Sequence, residues 1–381
     1  MRIGIDYTAA VRQGAGIGRF CRGLLGALTA LDHTNEYVVW SGGRAAVEPA
    51  WPANFRRVVL PLSDRQQAIL WQRLRLPLPV ELFTGRLDLY HSPDFVLPPV
   101  RRARTLLTVH DLSFMRHPEC SSPALLAYLL DAVPRSVAQA DLVLADSENT
   151  RRDVIELLGV PAERTRVVYA GLEAGFGRVD DAAVCQAALA RYGITPPYIL
   201  AVGTLQPRKN LARLIHALVL ARERYGLPHQ LVIAGGKGWL YDDILEAAQA
   251  AGDAVLLAGY VADADLPALY SAAELFAYPS LYEGCGLPIL EAMACGTPVL
   301  TSTTSSMPEV AGDAALLVDP TDVEAIATGL WRLISDGALR ETLVQRGYAR
   351  LERFTWPGAA RELLAAYEQC VAAGGHGHAI G

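Results

Sequence analysis

Two glutamates stand eight residues apart in a glycine-rich segment, SLYEGCGLPILEAMACGTP (280–298). The glycines let a backbone approach a ligand, and Pro288 suits the first turn of a helix, whose N–H groups can bind phosphate. Glu291 would fall in that first turn, where a carboxylate can accept both hydroxyls of a ribose. Glu283 would bind another part of the ligand, such as a sugar hydroxyl. The alternative, that the carboxylates complement a helix dipole, explains Glu291 only.

Two adjacent cations add a site for negative charge. The chain has 34 Lys and Arg residues, of which two, Lys209 and Lys237, are lysines, in the loop-like contexts QPRKN and AGGKGW. Arg208 and Lys209 precede a helix for which Asn210 is the expected N-cap. An arginine can fork onto two phosphate oxygens and a lysine supplies a compact charge, so the pair suits a diphosphate. The alternative is an ordinary surface pair, since adjacent cations before a helix are common.

The first half of the chain carries weaker chemical signals. QGAGIGRF (13–20) follows the first predicted strand, but its glycines recur every second residue, a spacing that misses G-x-G-x-x-G. TVHDLSF places His110 and Asp111 just past a strand end, where an active-site group is expected. DLYHSPDF places His91 and Asp94 in a similar context. A structural histidine is the alternative reading of both segments.

Predicted strands and helices alternate along the chain and place these residues at strand ends. In the second half, short apolar runs such as YILAVG and QLVIAGG are separated by helical patterns, which indicates parallel strands covered by helices on both faces. The first half repeats the theme from RIGID to RTRVVYAG. We predict an α/β protein of two Rossmann-like, doubly wound domains, 1–175 and 176–356, facing across a cleft, with a linker around 171–197. A C-terminal helix, 357–375, is expected to cross back to the first domain.

Composition narrows the class of protein. Of the 381 residues, 51% are hydrophobic and 19% are charged, which is typical of a globular protein with a large core. No apolar run approaches the ~20 residues of a membrane span, and the first residues lack the apolar stretch of a signal peptide, so we expect a cytoplasmic protein. The six cysteines form no C-x-x-C pair, which favours reduced thiols over disulfides or a zinc site.

Charge is unevenly spread along the chain, whose net charge is −6. Residues 1–180 hold 21 basic and 19 acidic side chains, a formal +2, and the remainder holds 13 basic and 21 acidic, a formal −8. Neither half shows the basic stripe of a nucleic-acid binder. The N-terminal half, with Arg101, Arg102 and Arg104, is a candidate for peripheral contact with the inner face of a membrane, with a solvated surface as the alternative. The two histidines of the tail GGHGHAIG are expected in a disordered segment, not a metal site.

Six of these segments together resemble one family. PSLYEGCGLPILEAMACGTPV, with its E-x7-E arrangement, is similar to the signature of family 4 retaining glycosyltransferases of the GT-B fold. VGTLQPRKNL, AGGKGW, TVHDLSF, GAGIGRF and SMPEVAGDAALLVDP also resemble motifs of that family, and the resemblance covers essentially the whole chain. Within the family, the segments most resemble the bacterial mannosyltransferase-like branch that builds O-antigen and other surface polysaccharides.

The resemblance implies a sugar-nucleotide donor held mainly by the C-terminal domain and a glycan or polyprenyl-linked acceptor held mainly by the N-terminal one. It implies that Glu291 binds the ribose, that Glu283 binds a donor-sugar hydroxyl, and that Arg208 and Lys209 hold the diphosphate. His110 would lie near the transferred sugar. The expected catalytic residues are His110, Asp111, Arg208, Lys209 and Glu283, and the expected donor-binding residues are Gly14, Gly16, Gly203, Arg208, Lys209, Gly236, Lys237, Glu283, Gly284, Cys285, Gly286, Leu287 and Glu291.

One position departs from the family pattern. Many members have an arginine directly after the glycine of the loop at 203, where this chain has Thr204. Arg208, one turn later, is expected to replace it.

The expected reaction is retaining transfer of a hexose, with GDP-mannose as the leading donor and UDP-glucose or UDP-N-acetylglucosamine as the runner-up. No Asp or Glu of the motifs is an obvious covalent nucleophile, so we expect front-face displacement in which a donor phosphate oxygen takes the acceptor's proton. The charge of Arg208 and Lys209 would replace a divalent metal ion, and no other cofactor is expected. The alternatives are another enzyme of the same fold, such as a phosphorylase or an epimerase, and a nonenzymatic two-domain sugar-binding protein. An NAD-dependent oxidoreductase is disfavoured by the glycine spacing.

Overall fold

The computed structural model describes residues 1–14, 16–43 and 49–372. The tail histidines, His376 and His378, and the end of the predicted helix 357–375 lie outside the described residues. The chain divides into two compact units. The N-terminal unit comprises Met1–Leu112, Ala127–Gly171 and Phe354–Gly381, and the C-terminal unit comprises Ser113–Leu126 and Leu172–Arg353.

Each unit is built around a sheet whose described strands are all parallel, and these strands are the apolar runs of the sequence. Most of their residues are buried, as expected for strands that are covered on both faces. The strands of the N-terminal unit are β1 (Arg2–Asp6), β2 (Glu36–Gly42), β3 (Phe55–Leu60), β4 (Leu89–Ser92), β5 (Arg104–Val109), β6 (Leu142–Ala145) and β7 (Thr165–Val167). Those of the C-terminal unit are β8 (Tyr198–Val202), β9 (Gln230–Ala234), β10 (Val255–Gly259), β11 (Leu275–Tyr278), β12 (Val299–Ser302) and β13 (Leu316–Val318).

Helices form most of the connections between these parallel strands, although residues 93–103 join β4 to β5 without one. They are α1 (Thr8–Arg12), α2 (Gly16–Leu31), α3 (Asp64–Gln67), α4 (Glu81–Thr84), α5 (Ser113–Arg116), α6 (Pro123–Gln139), α7 (Glu148–Leu158), α8 (Ala182–Arg191), α9 (Leu211–Tyr225), α10 (Asp242–Ala251), α11 (Leu266–Ala272), α12 (Leu287–Ala294), α13 (Met307–Ala311), α14 (Val323–Ser335), α15 (Gly337–Leu351) and α16 (Trp356–Ala372). Shorter turns are a π-helical turn at Ala68–Arg73 and 3-10 turns at Pro118–Cys120, Ala162–Arg164, Pro207–Lys209 and Gly252–Ala254.

The sheet of the N-terminal unit has the order β3-β2-β1-β4-β5-β6-β7 among the described strands. The order reverses between β1 and β4, and such a reversal opens a crevice at the carboxyl ends of the two strands. The C-terminal helix α16 packs on α2, β4 and β5 of this unit, as the sequence predicts. Its first residue, Trp356, fits against Gly23 and Gly171, where an added Cβ would stand 2.2 Å from a Trp356 atom.

The sheet of the C-terminal unit has the order β10-β9-β8-β11-β12-β13 over the strands that the structure describes. Here the reversal lies between β8 and β11. α9 and α14 pack together on one face of this sheet, and their apolar residues Leu214, Leu218, Ile326 and Leu330 are fully buried. The predicted class, two doubly wound α/β domains with parallel sheets, is confirmed.

Two segments differ from the sequence-based expectation. Residues 171–197, expected as a linker, contain α8, which is capped by the Asp181 carboxylate and packs on α11. Ser113–Leu126, which follows β5, belongs to the C-terminal unit, where Trp239 Nε1 donates to the Cys120 carbonyl at 2.8 Å. The hydrogen bond between Trp239 and Cys120 depends on tertiary packing, so no periodic pattern in the sequence predicts it.

Candidate active site

The loops after β8 and β11 bring three of the predicted residues into contact at the carboxyl edge of the C-terminal sheet. The two loops are joined by the Leu281 N–H, which donates to the Arg208 carbonyl at 2.9 Å. Glu283 Oε2 lies 2.7 Å from Arg208 Nη1, and Glu283 Oε1 lies 2.8 Å from Lys209 Nζ. The side chains are 7%, 15% and 11% exposed, respectively, so this is a buried cluster and not the surface pair of the alternative interpretation.

Glu283 is an ionised carboxylate in this cluster. Burial alone would raise the pKa of Glu283, but Arg208 and Lys209 outweigh burial and lower this pKa to about 2. The Lys209 ammonium also donates to the Tyr278 hydroxyl at 2.6 Å. Two cations and one carboxylate leave the cluster with a net positive charge, which suits an anionic ligand such as a diphosphate.

The loop that follows Glu283 is held by two serines that the sequence reasoning did not identify. Ser305 Oγ accepts from the Glu283 N–H at 3.1 Å and donates to the Glu283 carbonyl at 2.7 Å. Ser306 Oγ lies 2.9 Å from the same carbonyl. Gly286 has a φ of +90°, which side chains other than glycine rarely adopt. The backbone of 284–287 therefore forms a fixed, largely buried turn at the start of α12.

Asn210 precedes α9, as predicted, but its side chain does not cap that helix. Its φ is +59°, and Nδ2 donates to the carbonyls of Pro279 at 2.9 Å and Pro320 at 2.7 Å. Asn210 therefore occupies the N-cap position, as predicted, without a capping hydrogen bond from its side chain, because tertiary contacts supply two carbonyl acceptors that local sequence does not reveal. Through these hydrogen bonds, the side chain connects the loop after β8 to the loops after β11 and β13.

Glu291 lies inside α12 and not in its first turn. The helix starts at Leu287 with Pro288 next, as proline prefers, and Glu291 is its fifth residue. Glu291 is 1% exposed, and its Oε2 accepts from the Tyr270 hydroxyl at 2.9 Å. The first-turn prediction is thus wrong by one residue. Complementing the helix dipole does not require burial of a charge, so this environment indicates a more specific role.

The loops after β8 and β9 run side by side next to this cluster. The Leu205 N–H donates to the Gly236 carbonyl at 2.9 Å. Gly203 has a φ of +147°, and a Cβ at Gly235 would stand 1.9 Å from the Gly203 carbonyl oxygen. Lys237 is exposed at the edge of these loops. The structure therefore places Gly203, Gly236 and Lys237 beside the turn that carries Arg208.

His110, predicted to act on the sugar, lies in the N-terminal unit at the end of β5. Its Nδ1 is 2.7 Å from Asp146 Oδ2 and its Nε2 is 2.8 Å from the Pro93 carbonyl. Burial disfavours the charged ring, but the Asp146 carboxylate outweighs burial and raises the pKa of His110 to about 9. Both ring nitrogens face oxygen acceptors, so the ring donates from each. Neighbouring Asp111 is partly buried, and a role for either residue toward a sugar stays a prediction.

Other candidates of the N-terminal unit have different surroundings. His91 is a structural histidine: its Nδ1 is 2.9 Å from the Tyr367 hydroxyl and its Nε2 is 3.0 Å from Thr108 Oγ1. Burial, helped by His110, lowers the pKa of His91 to about 3, so this ring is neutral. Gly14 and Gly16 lie before and at the start of α2, and an added Cβ would meet nothing within 4 Å there. Their backbone is open to approach by a ligand.

The His110–Asp146 pair predicts a specific pH dependence of stability. Because the pKa of His110 is raised from an ordinary 6.5 to about 9, its contribution to stability is complete below about pH 6.5. The contribution is lost as pH rises toward 9. We expect the free energy of unfolding of the wild type, relative to His110→Gln, to fall over this window in urea titrations. Histidine NMR should show one ring that titrates near pH 9, and titration of every histidine near pH 6.5 would contradict the assignment.

Within the described ranges, no three His, Cys, Asp or Glu side chains are grouped in a way that could hold a metal ion. Over the same residues, no helix has both the length and the apolar character needed to cross a membrane. All six cysteines are free thiols.

Two family models match successive parts of the chain. Residues 14–175 match the model described as Glycosyltransferase Family 4, and residues 190–350 match the model described as Glycosyl transferases group 1. Together they cover every described strand of the two sheets except β1. The cluster of Arg208, Lys209 and Glu283 lies within the second match.

Individual proteins extend this comparison. The O-antigen chain mannosyltransferase B of Escherichia coli is 37% identical over 74% of this chain and 74% of its own length. The D-inositol 3-phosphate glycosyltransferase of Salinispora arenicola is 35% identical over 63% of this chain and 57% of its own length. Anabaena HepE, solved in complex with UDP and glucose, superposes with a TM-score of 0.73 at 20% identity, over 97% of this chain and 99% of that protein. The chain belongs to the family 4 glycosyltransferases and has the GT-B fold.

Proposed function

We propose that this glycosyltransferase moves mannose from GDP-mannose to a glycan or polyprenyl-linked acceptor in surface polysaccharide synthesis, with retention of anomeric configuration. The observation that carries the proposal is the buried cluster of Arg208, Lys209 and Glu283 beside α12 and Glu291. It offers positive charge for a diphosphate and carboxylates for hydroxyl groups. Mannose as the sugar is supported by the name of the O-antigen chain mannosyltransferase B, which is 37% identical.

Arg208 and Lys209 would stabilise the departing diphosphate. Negative charge grows on the leaving group during transfer, and fixed positive groups in a buried site stabilise it without reorganisation. An arginine has five N–H donors and an ammonium has three, so each can bind Glu283 and a phosphate together. This charge would take the place of a divalent metal ion, and we propose that the reaction needs neither a metal nor another cofactor.

Glu283 would hold the donor sugar and not attack it. A carboxylate with a pKa of about 2 that is paired with two cations is a weak nucleophile, because attack would require it to leave both ion pairs. Its oxygens can accept hydrogen bonds from sugar hydroxyls while they stay paired. Because Glu291 is assigned to the ribose, no Asp or Glu of the donor-binding motifs is left as an obvious covalent nucleophile, and we propose front-face displacement, in which a donor phosphate oxygen takes the acceptor's proton.

A second donor class has support from solved structures that share the fold. Anabaena HepE, which shares the fold, was solved with UDP and glucose, so UDP-glucose or UDP-N-acetylglucosamine is the alternative donor. The cluster around Glu283 would serve either nucleotide, since diphosphate and ribose are common to both. Peripheral contact with the inner face of a membrane stays a prediction from charge alone.

A thermal-shift panel with GDP, UDP, ADP and dTDP, and with their sugar conjugates, tests the donor. A ligand that binds only the native state, present at 100 times its dissociation constant, adds about 2.7 kcal/mol of stability. We expect GDP and GDP-mannose to raise the melting temperature most. A response to UDP alone would overturn the mannose donor, and no response to any nucleotide would overturn the proposed function.

A further inference from the structure

The N-terminal unit contains a cavity of about 350 Å³ at the carboxyl ends of β1 and β4, the strands between which the order of its sheet reverses. Asp6 at the end of β1, Thr8 just after it, and Pro93 and Asp94 after β4 line this cavity. Open α/β sheets bind ligands at such a reversal. The volume lies at the lower end of the ~300–1,000 Å³ typical of small-molecule sites. The Arg208–Glu283 cluster occupies the corresponding position in the other sheet.

We name this cavity the Trp71 cavity after an indole in its lining. Carboxylates dominate its charge. Asp6 and Asp94 are two of the three charged residues that line it among those the structure describes, and Arg65, which is exposed, is the third. Asp6 Oδ1 accepts from the Thr8 N–H at 2.8 Å, and Asp94 Oδ2 accepts from Gln13 Nε2 at 3.1 Å. Both carboxylates are therefore held in place at the cavity wall.

Aromatic rings form another part of the wall. Trp71 Nε1 donates to the Leu78 carbonyl at 3.0 Å, and its indole packs edge-on against Trp40, which fixes its orientation. Tyr128 also lines the cavity, and burial together with the nearby Asp94 carboxylate raises the pKa of its hydroxyl. Rigid aromatic faces provide apolar area, and carboxylate oxygens accept hydrogen bonds from hydroxyl groups. A sugar ring presents both kinds of surface.

We infer that the Trp71 cavity, which lies in the unit that the family resemblance assigns to the acceptor, takes an uncharged sugar and not a phosphorylated one. The inference rests on the proposed function for the existence of an acceptor. A phosphate would bring about 1.5 to 2 negative charges beside Asp6 and Asp94, and like charges at close range oppose binding. The nearby His110 ring does not offset the negative charge of Asp6 and Asp94, because it is paired with Asp146.

Saturation-transfer NMR on the full chain, with GDP present, tests this inference. The uncharged probes are the methyl α-glycosides of mannose, glucose and N-acetylglucosamine, and the charged probes are mannose 6-phosphate and inositol 1-phosphate. We expect at least one uncharged glycoside to bind and both phosphates to bind more weakly. Tighter binding of a phosphate, or no binding of any uncharged glycoside, would overturn the inference.

Variants connect binding to the cavity. Trp71→Ala and Asp94→Asn should each weaken binding of the glycoside by about tenfold or more. Loss of a hydrogen bond to a charged group, or of a buried aromatic contact, has an effect of this size. Asp6→Asn with Asp94→Asn should shift the preference toward the phosphates. The matched control, Glu362→Gln, alters an exposed carboxylate on α16 that pairs with Arg166, and it should change neither. Equal weakening by the control would remove the cavity as the site.

The same samples separate the two proposals. GDP stabilisation should be identical in the wild type and in the cavity variants, because the cations and Glu291 lie in the C-terminal unit. Normal GDP stabilisation without glycoside binding would overturn the acceptor inference alone. Glycoside binding without stabilisation by any nucleotide would instead overturn the proposed function.

Discussion

Arg208→Ala and Lys209→Ala should each lower kcat by about 10² to 10³, the usual cost of removing one group that stabilises developing negative charge. Each variant leaves Glu283 paired with the other cation, 2.7 or 2.8 Å away, so the fold should be retained. Steady-state kinetics with a saturating donor measure the effect. The loss should appear in kcat more than in KM, because the stabilised charge is largest in the transition state.

Two controls make this result specific to the cluster. Arg224→Ala removes an arginine of α9 whose exposed ion pair with Glu324 lies on the surface, and it should leave kcat unchanged. Arg208→Lys keeps the charge but not the two-pronged geometry, so its kcat should lie between the wild type and Arg208→Ala. Full activity in Arg208→Ala and Lys209→Ala would show that leaving-group stabilisation comes from elsewhere.

Glu291→Gln should weaken GDP binding by about 1.5–3 kcal/mol, the usual contribution of a hydrogen bond to a charged group. The amide has the same shape but only one acceptor oxygen, and Tyr270 already donates to the carboxylate that it replaces. Calorimetric titration with GDP gives the change in affinity directly. Glu246→Gln, an exposed glutamate on α10, is the matched control and should bind GDP as the wild type does.

A deoxynucleotide identifies which part of GDP contacts Glu291. If this carboxylate binds the ribose hydroxyls, 2′-deoxy-GDP should bind the wild type more weakly than GDP does. The Glu291→Gln substitution should then cost less with 2′-deoxy-GDP than with GDP, because one shared contact is already missing. Equal costs for the two nucleotides would place Glu291 away from the ribose hydroxyls.

Much of the architecture follows from local pattern. Short apolar runs that end at glycine or at polar residues predicted the strands of both sheets, and Pro288 predicted the start of α12. The grouping of Arg208, Lys209 and Glu283 also followed, because loops after parallel strands on either side of a reversal must meet at one edge. These features depend on few and mostly local interactions.

The residues that complete the site could not be predicted in this way. Tyr270 holds Glu291, Ser305 holds the Glu283 backbone, and Asp146 holds His110 across 36 positions of sequence. Each partner is brought in by packing of separate elements, and a tyrosine or serine has no spacing that marks such a role. The contacts of the Asn210 side chain could not be predicted for the same reason, since its carbonyl acceptors come from distant loops.

Proton NMR of the reaction product tests directly whether mannose is transferred from GDP-mannose with retention and without a metal ion. The purified protein is mixed with GDP-mannose, methyl α-mannoside and EDTA, and the anomeric signals are followed with time. We expect release of GDP together with a new α-mannosyl signal, because the α-linked sugar of the donor is transferred with retention and without a metal ion. A β-linked product, or turnover that starts only when a divalent cation is restored, would contradict it.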